Sequence, residues 1–201
     1  MTLTQMLLFL PAAFAVALTP GANNLLAMSN AAHAGWTAAV RALAGRIAAF
    51  ALMVGLVALG LDTILGVSEA TFRALKWAGI TYLVWLGVQQ WQAGSGPDAL
   101  PLPPSALARR EFLTAMGNPK AYLLFAAFLP QFVVGTEAVA PQIVALGAVY
   151  IGVEALAAMT WAAAGAGLGR TAATPRARRR LNRLSGVALI GAAGLLARAE
   201  R

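Results

Sequence analysis

Three short clusters place polar chemistry where the surrounding sequence is apolar. The first is Thr19-Pro20-Gly21-Ala22-Asn23-Asn24, inside a stretch from Met1 to Val40 that contains no Asp, Glu, Lys or Arg. Proline removes a backbone donor and glycine loosens the chain, so a helix running through this stretch should split into two half-helices. The half-helix that begins near Ala22 would then aim free N–H groups and its positive dipole end at whatever lies beyond the break, where a carboxylate could bind. Asn23 and Asn24 add side-chain donors and acceptors. The simpler alternative is a proline kink satisfied by neighbouring helices.

The second cluster, Gly117-Asn118-Pro119-Lys120, repeats the pattern of a helix break with polar groups beside it. Lys120 could pair with a substrate carboxylate, or its long stem could carry the ammonium to a membrane interface. The third is one residue, Glu154, with sixteen uncharged residues before it and fifteen after. A charge at the centre of a membrane helix costs about 2.5–3.5 kcal/mol on insertion scales, so its presence implies a partner, a cavity or a role in moving protons. A structural ion pair with Lys120 or Arg46 is the competing reading.

These clusters need elements that hold them in lipid. Of the 201 residues 60% are hydrophobic and 11% charged, with a mean hydropathy of +0.72, against roughly 25% charged in a soluble domain. Apolar segments run from about Leu3 to Ala32, Ala42 to Gly66, Phe72 to Trp91, Phe112 to Val134, Pro141 to Gly169 and Leu181 to Ala199. At about 20 residues per span they make an all-α membrane protein of six transmembrane helices, with helices one and four broken. The uncharged core of the sixth, Leu184 to Ala197, is short, and it spans only if Arg183 and Arg198 snorkel to opposite interfaces.

The chain reads as a single transmembrane domain over 1–201, with a first half at 1–92, a linker at 93–111 and a second half at 112–201. Gly94, Gly96, Pro97, Pro101, Pro103 and Pro104 mark the linker. Three spans on each side of it would enter the membrane from opposite faces, as two inverted three-helix repeats do. Phe14 to Pro20 followed by Leu25-Leu26 echoes Phe112 to Pro119 followed by Leu123-Leu124, an echo that chance could also produce. Pro119 would lie roughly 12 Å and Pro20 roughly 15–18 Å from the same face, so the breaks converge in depth.

With six spans, Arg41, Arg46, Arg109, Arg110, Arg170, Arg176, Arg178, Arg179, Arg180 and Arg183 fall on one side, and Arg73, Lys76, Arg198 and Arg201 on the other. The positive-inside rule makes the first side cytoplasmic and puts both termini outside. The net charge of +8 is therefore a topology signal and not a nucleic-acid footprint. The Arg176 to Arg183 cluster would also touch anionic lipid head groups. The N-terminal segment lacks the leading cation of a signal peptide and is expected to be retained.

With no Cys and one His, thiol redox chemistry and Cys/His metal sites are excluded, and no cofactor is implied. No Ser/His, paired-Asp or metal-ligand set for an intramembrane enzyme can be assembled. His33 reads as a connecting-loop residue and Asp62 as a hydrated one. Trp36, Trp77, Tyr82, Trp85, Trp91, Tyr122, Tyr150 and Trp161 read as interface anchors or packing. Small residues in every span permit close packing within one chain or in a homo-oligomer.

In order and spacing the chain resembles the lysine/threonine exporter family of the LysE/RhtB type. The resemblance rests on Thr19-Pro20-Gly21 with Asn23-Asn24, Gly35 and Gly45 around Arg41, Lys76-Trp77-Ala78-Gly79 with Tyr82-Leu83 and Leu86-Gly87, Asn118-Pro119-Lys120, Leu129-Pro130-Gln131-Phe132-Val133, and Leu184-Ser185-Gly186. It implies a bacterial cytoplasmic-membrane protein that exports amino acids or their derivatives, driven by protons. Such a protein would take its zwitterionic substrate at Thr19, Pro20, Gly21, Asn23, Asn24, Asn118, Pro119, Lys120 and Glu154. Ala22 stands where the family usually has a second proline, which leaves the first break less rigid. The substrate stays open, as does a passive channel for small polar metabolites.

Overall fold

The computed structural model describes residues 3–59, 69–92, 102–133, 139–171 and 174–198. Asp62, the linker residues 93–101 and the last residues of the chain lie outside them. The described residues form helices and no strand. The elements are α1 (Leu3–Leu18), α2 (Ala22–Ala34), α3 (Trp36–Ala58), α4 (Glu69–Gln92), α5 (Pro104–Met116), α6 (Pro119–Leu123), α7 (Val139–Thr171) and α8 (Pro175–Arg198). A π-helical turn, Leu124–Phe128, and a 3₁₀ turn, Leu129–Phe132, extend α6.

Both expected breaks are present. α1 and α2 meet at an angle of 60° across residues 19–21, and α5 gives way to α6 at Gly117 and Asn118. By length and composition α3 and α7 can each cross a membrane, and the bent pair α1–α2 makes a third candidate. The bundle is also inverted relative to a protein in water. Leu7, Leu8, Leu52, Leu59, Leu156 and Leu184 are exposed, while Asn23, Asn24, Asn30, Arg46, Glu111, Asn118 and Glu154 are buried. That distribution is stable only where the surrounding solvent is hydrocarbon and the interior supplies the hydrogen bonds.

Small residues set how closely the helices approach. α2 packs on α7, α3 on α5 and α7, and α4 on α8. A Cβ on Gly165 or Gly169 of α7 would fall on the main chain of Met28 or Ala32 in α2, and one on Gly45 of α3 would fall on the Ala108 carbonyl of α5. Glycine at these points lets backbones touch. Gly35 alone joins α2 to α3, with φ 84°, a left-handed value that favours glycine, and its N–H returns to the Ala31 carbonyl.

Three sequence expectations change. The segment expected as linker to residue 111 is helical from Pro104, because proline at the first helical position forfeits only an N–H that would be unpaired anyway. α3 begins at Trp36, which puts Arg46 about 15 Å along the helix at 1% exposure. Arg46 is therefore no connecting-loop cation, and Arg41 of α3 and Arg109 and Arg110 of α5 are helical as well. His33 belongs to α2, where its Nδ1 meets the Ser29 carbonyl at 2.7 Å and its Nε2 meets Asn182 Oδ1 of α8 at 2.6 Å.

Candidate substrate-binding site

The first break owes its shape to the missing N–H of Pro20. In an unbroken helix that N–H would bond the Val16 carbonyl. Here the Val16 oxygen accepts from Lys120 Nζ of α6 at 3.0 Å, with the Thr19 N–H at a longer 3.3 Å. The neighbouring ends of α1 are filled from nearby: Asn24 Nδ2 donates to Ala17 O at 2.7 Å and to Thr19 O at 3.2 Å, and the Thr19 hydroxyl donates to Ala15 O at 2.7 Å. A cation also suits the negative end of a helix dipole. The second break thus supplies the charge that caps the first.

α2 starts at Ala22 with Gly21 as its N-cap, a residue with no side chain to accept from the first N–H groups. α6 differs at the matching point, where Asn118 Oδ1 accepts from the Lys120 N–H at 3.1 Å. The two breaks are also joined side chain to side chain, Asn118 Nδ2 donating to Asn23 Oδ1 at 2.9 Å. That leaves the Asn23 Nδ2 group, on a residue only 5% exposed, without a partner. A buried donor of this kind is unfavourable by about 1–3 kcal/mol unless something else accepts from it.

Below this junction lies a buried ion network centred on Arg46. Its Nε and Nη2 donate to Glu111 Oε2 at 3.0 and 2.7 Å, and its Nη1 donates to Glu154 Oε1 at 3.1 Å and Asn24 Oδ1 at 3.3 Å. Nη2 also donates to the Asn23 main-chain oxygen. Glu111 Oε1 accepts from Asn30 at 3.0 Å, and Glu154 Oε2 accepts from the Tyr150 hydroxyl at 3.2 Å. One guanidinium fork therefore fastens α3 to α2, α5 and α7. The close approach of Gly45 to Ala108 makes this possible, since Arg46 and Glu111 sit directly beyond that contact, Glu111 one turn along α5.

These groups converge on one cavity. Its polar wall comprises Thr19, Gly21, Asn23, Asn24, Asn118, Lys120, Tyr150 and Glu154; its apolar wall comprises Ala17, Phe50, Ala121, Leu124 and Phe125. Seven of the nine residues singled out in the sequence line it. Pro20 does not, and acts through the backbone it interrupts; Pro119 occupies the first position of α6. The space inside is ≈ 30 Å³ for the centres of water-sized spheres, equivalent to about two water molecules. An amino acid fits only after the walls part.

Sequence reasoning passed over Glu111, Asn30 and the role of Tyr150. Tyr150 stands one turn before Glu154 on the same face of α7, which the spacing alone could have shown. It is buried, and so is not an interface anchor. Glu111 was obscured by Arg109 and Arg110 immediately before it, which make the segment look like a hydrated connection. The ion pair raised as an alternative for Glu154 is present, and its partner is Arg46 rather than Lys120.

The model of the LysE type translocator family matches residues 14–200. This chain belongs to that family. Among similar proteins, an uncharacterized membrane protein of Vibrio cholerae is 31% identical over 198 residues, 96% of this chain and 97% of its own. The homoserine/homoserine lactone efflux protein of Salmonella typhimurium is 30% identical over 92% of both chains. The cysteine/O-acetylserine efflux protein of Escherichia coli is 35% identical over 82% of this chain and 84% of its own. No solved structure matches this translocator.

Proposed function

We propose that this translocator exports amino acids or amino-acid derivatives across the bacterial cytoplasmic membrane by alternating access, through six spans arranged as two inverted halves, with both termini outside. The observation that carries the reading is the single cavity shared by the two helix breaks. It is lined by the unpartnered Asn23 amide and the start of α2, which suit a carboxylate. It is also lined by Glu154, which suits an α-ammonium. The names of the efflux relatives from Salmonella typhimurium and Escherichia coli support the same substrate class.

So small a cavity is not the continuous wet path that a passive channel needs, which favours a carrier. Protons are the proposed driving ion. Of the two buried carboxylates among the described residues, Glu154 is the one that lines the cavity, so it is the group able to exchange a proton with the substrate's compartment and trade Arg46 for a ligand. The test is counterflow of labelled amino acids in proteoliposomes, followed by uptake under an imposed pH gradient. Export predicts counterflow for at least one amino acid and uphill accumulation when the gradient is applied. A panel with neither result removes the reading.

A further inference from the structure

We infer that the paired ends of α4 and α8 form a seat for one anionic phospholipid, its phosphate held by Arg179, Arg180 and Arg183 and its acyl chain lying along Leu184, Val187 and Ile190. The seat faces the lipid around the bundle and does not depend on what the cavity carries. The first turns of α8 expose Arg176, Arg179, Arg180 and Arg183. Like charges three and four residues apart repel one another on a helix face, and these also stand at the positive end of the helix dipole. Such a cluster calls for a counter-charge. Among the described residues none is within reach: Arg46 holds Glu111 and Glu154, and Glu69 starts α4, about 33 Å along that helix from Trp91.

α4 shapes the seat. A Cβ on Gly87 would meet Ile190 and the Gly186 carbonyl, and one on Gly186 would meet Trp91, so the two helices lie antiparallel and Trp91 falls level with the start of α8. There the Arg183 guanidinium stands 5.7 Å from the centre of the Trp91 ring. The ring restrains the cation, whose planar fork of N–H groups matches a phosphate. Arg110 of α5 donates to Gln89 at 2.9 Å, which adds a cation to the same end of α4. Below the arginines, Leu184, Val187 and Ile190 follow three residues apart at 67, 52 and 37% exposure. Cations above an apolar stripe match the order of phosphate and acyl chain in a phospholipid. A zwitterionic headgroup brings its own cation to this patch, whereas an anionic one without an amine brings only attraction.

The experiment is native mass spectrometry of the purified full chain in detergent, titrated with phosphatidylglycerol or with phosphatidylcholine of the same acyl chains. One phosphatidylglycerol should be retained roughly ten-fold more tightly, or better, than one phosphatidylcholine. Arg180→Gln with Arg183→Gln should weaken phosphatidylglycerol by about twenty-five-fold, roughly five-fold for each arginine. The charge-matched pair Arg41→Gln with Arg170→Gln, at exposed positions of α3 and α7, should change it by less than about three-fold. Trp91→Leu keeps every charge and should still weaken it by about three-fold. Detergent melts confirm that each variant is folded. Equal retention of the two lipids by the unmodified protein, or equal losses in the two arginine pairs, would overturn the seat. So would an unchanged Trp91→Leu, which would reduce the binding to diffuse charge. None of these results bears on export.

Discussion

Lys120 donates to the main-chain oxygen of Val16 at 3.0 Å, the acceptor whose helical partner would be the N–H that Pro20 lacks. The two interrupted segments therefore complete each other: one supplies an orphan carbonyl and the other the cation that satisfies it. Replacing Pro20 by Ala restores the missing N–H, which competes with Lys120 and favours a straight helix through residues 19–21. Pro20→Ala should keep or raise thermal stability in detergent, by up to about 1 kcal/mol for the regained hydrogen bond, while transport falls. A variant that transports at the full rate would show that the 60° bend is not needed.

The Arg46 fork makes a second expectation. Glu111→Leu leaves a buried guanidinium with one carboxylate, and loss of a partner from a buried pair destabilises by roughly 3–5 kcal/mol. Arg46→Leu together with Glu111→Leu removes both charges and should be far less damaging than the sum of the single changes. A double-mutant cycle on unfolding in detergent measures the coupling. Additive effects would mean that the 2.7 Å contact contributes nothing net.

Glycines of α3 give a signed contrast. A Cβ on Gly45 falls on the Ala108 carbonyl, whereas one on Gly55 meets nothing within 4 Å. Gly45→Ala should force α3 and α5 apart, destabilise by about 1–3 kcal/mol as overpacking does, and loosen the Arg46–Glu111 pair. Gly55→Ala should be neutral or stabilising by up to about 1 kcal/mol, the helix-propensity gain of alanine. Thermal melts of the two variants decide it, and equal effects would refute the close approach.

The elements were legible where the sequence signal is local. Pro20 and Pro119 announce helix breaks because each residue's own chemistry forbids an intact hydrogen-bond ladder, and Glu154 announces itself by sixteen uncharged residues on one side and fifteen on the other. Arg46 and Glu111 were not legible as a pair, because they are 65 residues apart and their contact depends on two small residues, Gly45 and Ala108, meeting backbone to backbone. The start of α5 was missed for a related reason. Prolines at 103 and 104 read as helix breakers, yet Pro104 stands at the one position in a helix where proline is favoured.

Asn23 offers the most direct test of the site because its two amide ends have separate jobs. Oδ1 accepts from Asn118 and links the two breaks, while Nδ2 is a buried donor with no partner. Asn23→Asp keeps the acceptor for Asn118 but removes the donor and adds a negative charge beside the start of α2. A substrate carboxylate held by Nδ2 would lose one charge-assisted hydrogen bond, about 1.5–3 kcal/mol, and KM for export should rise at least ten- to a hundredfold with the protein still folded. Asn23→Ala loses both jobs and should lower thermal stability as well as transport. Saturation kinetics in proteoliposomes, read beside a detergent melt of each variant, separate the two effects. If Asn23→Asp transported with an unchanged KM, the carboxylate would have to bind elsewhere in the cavity.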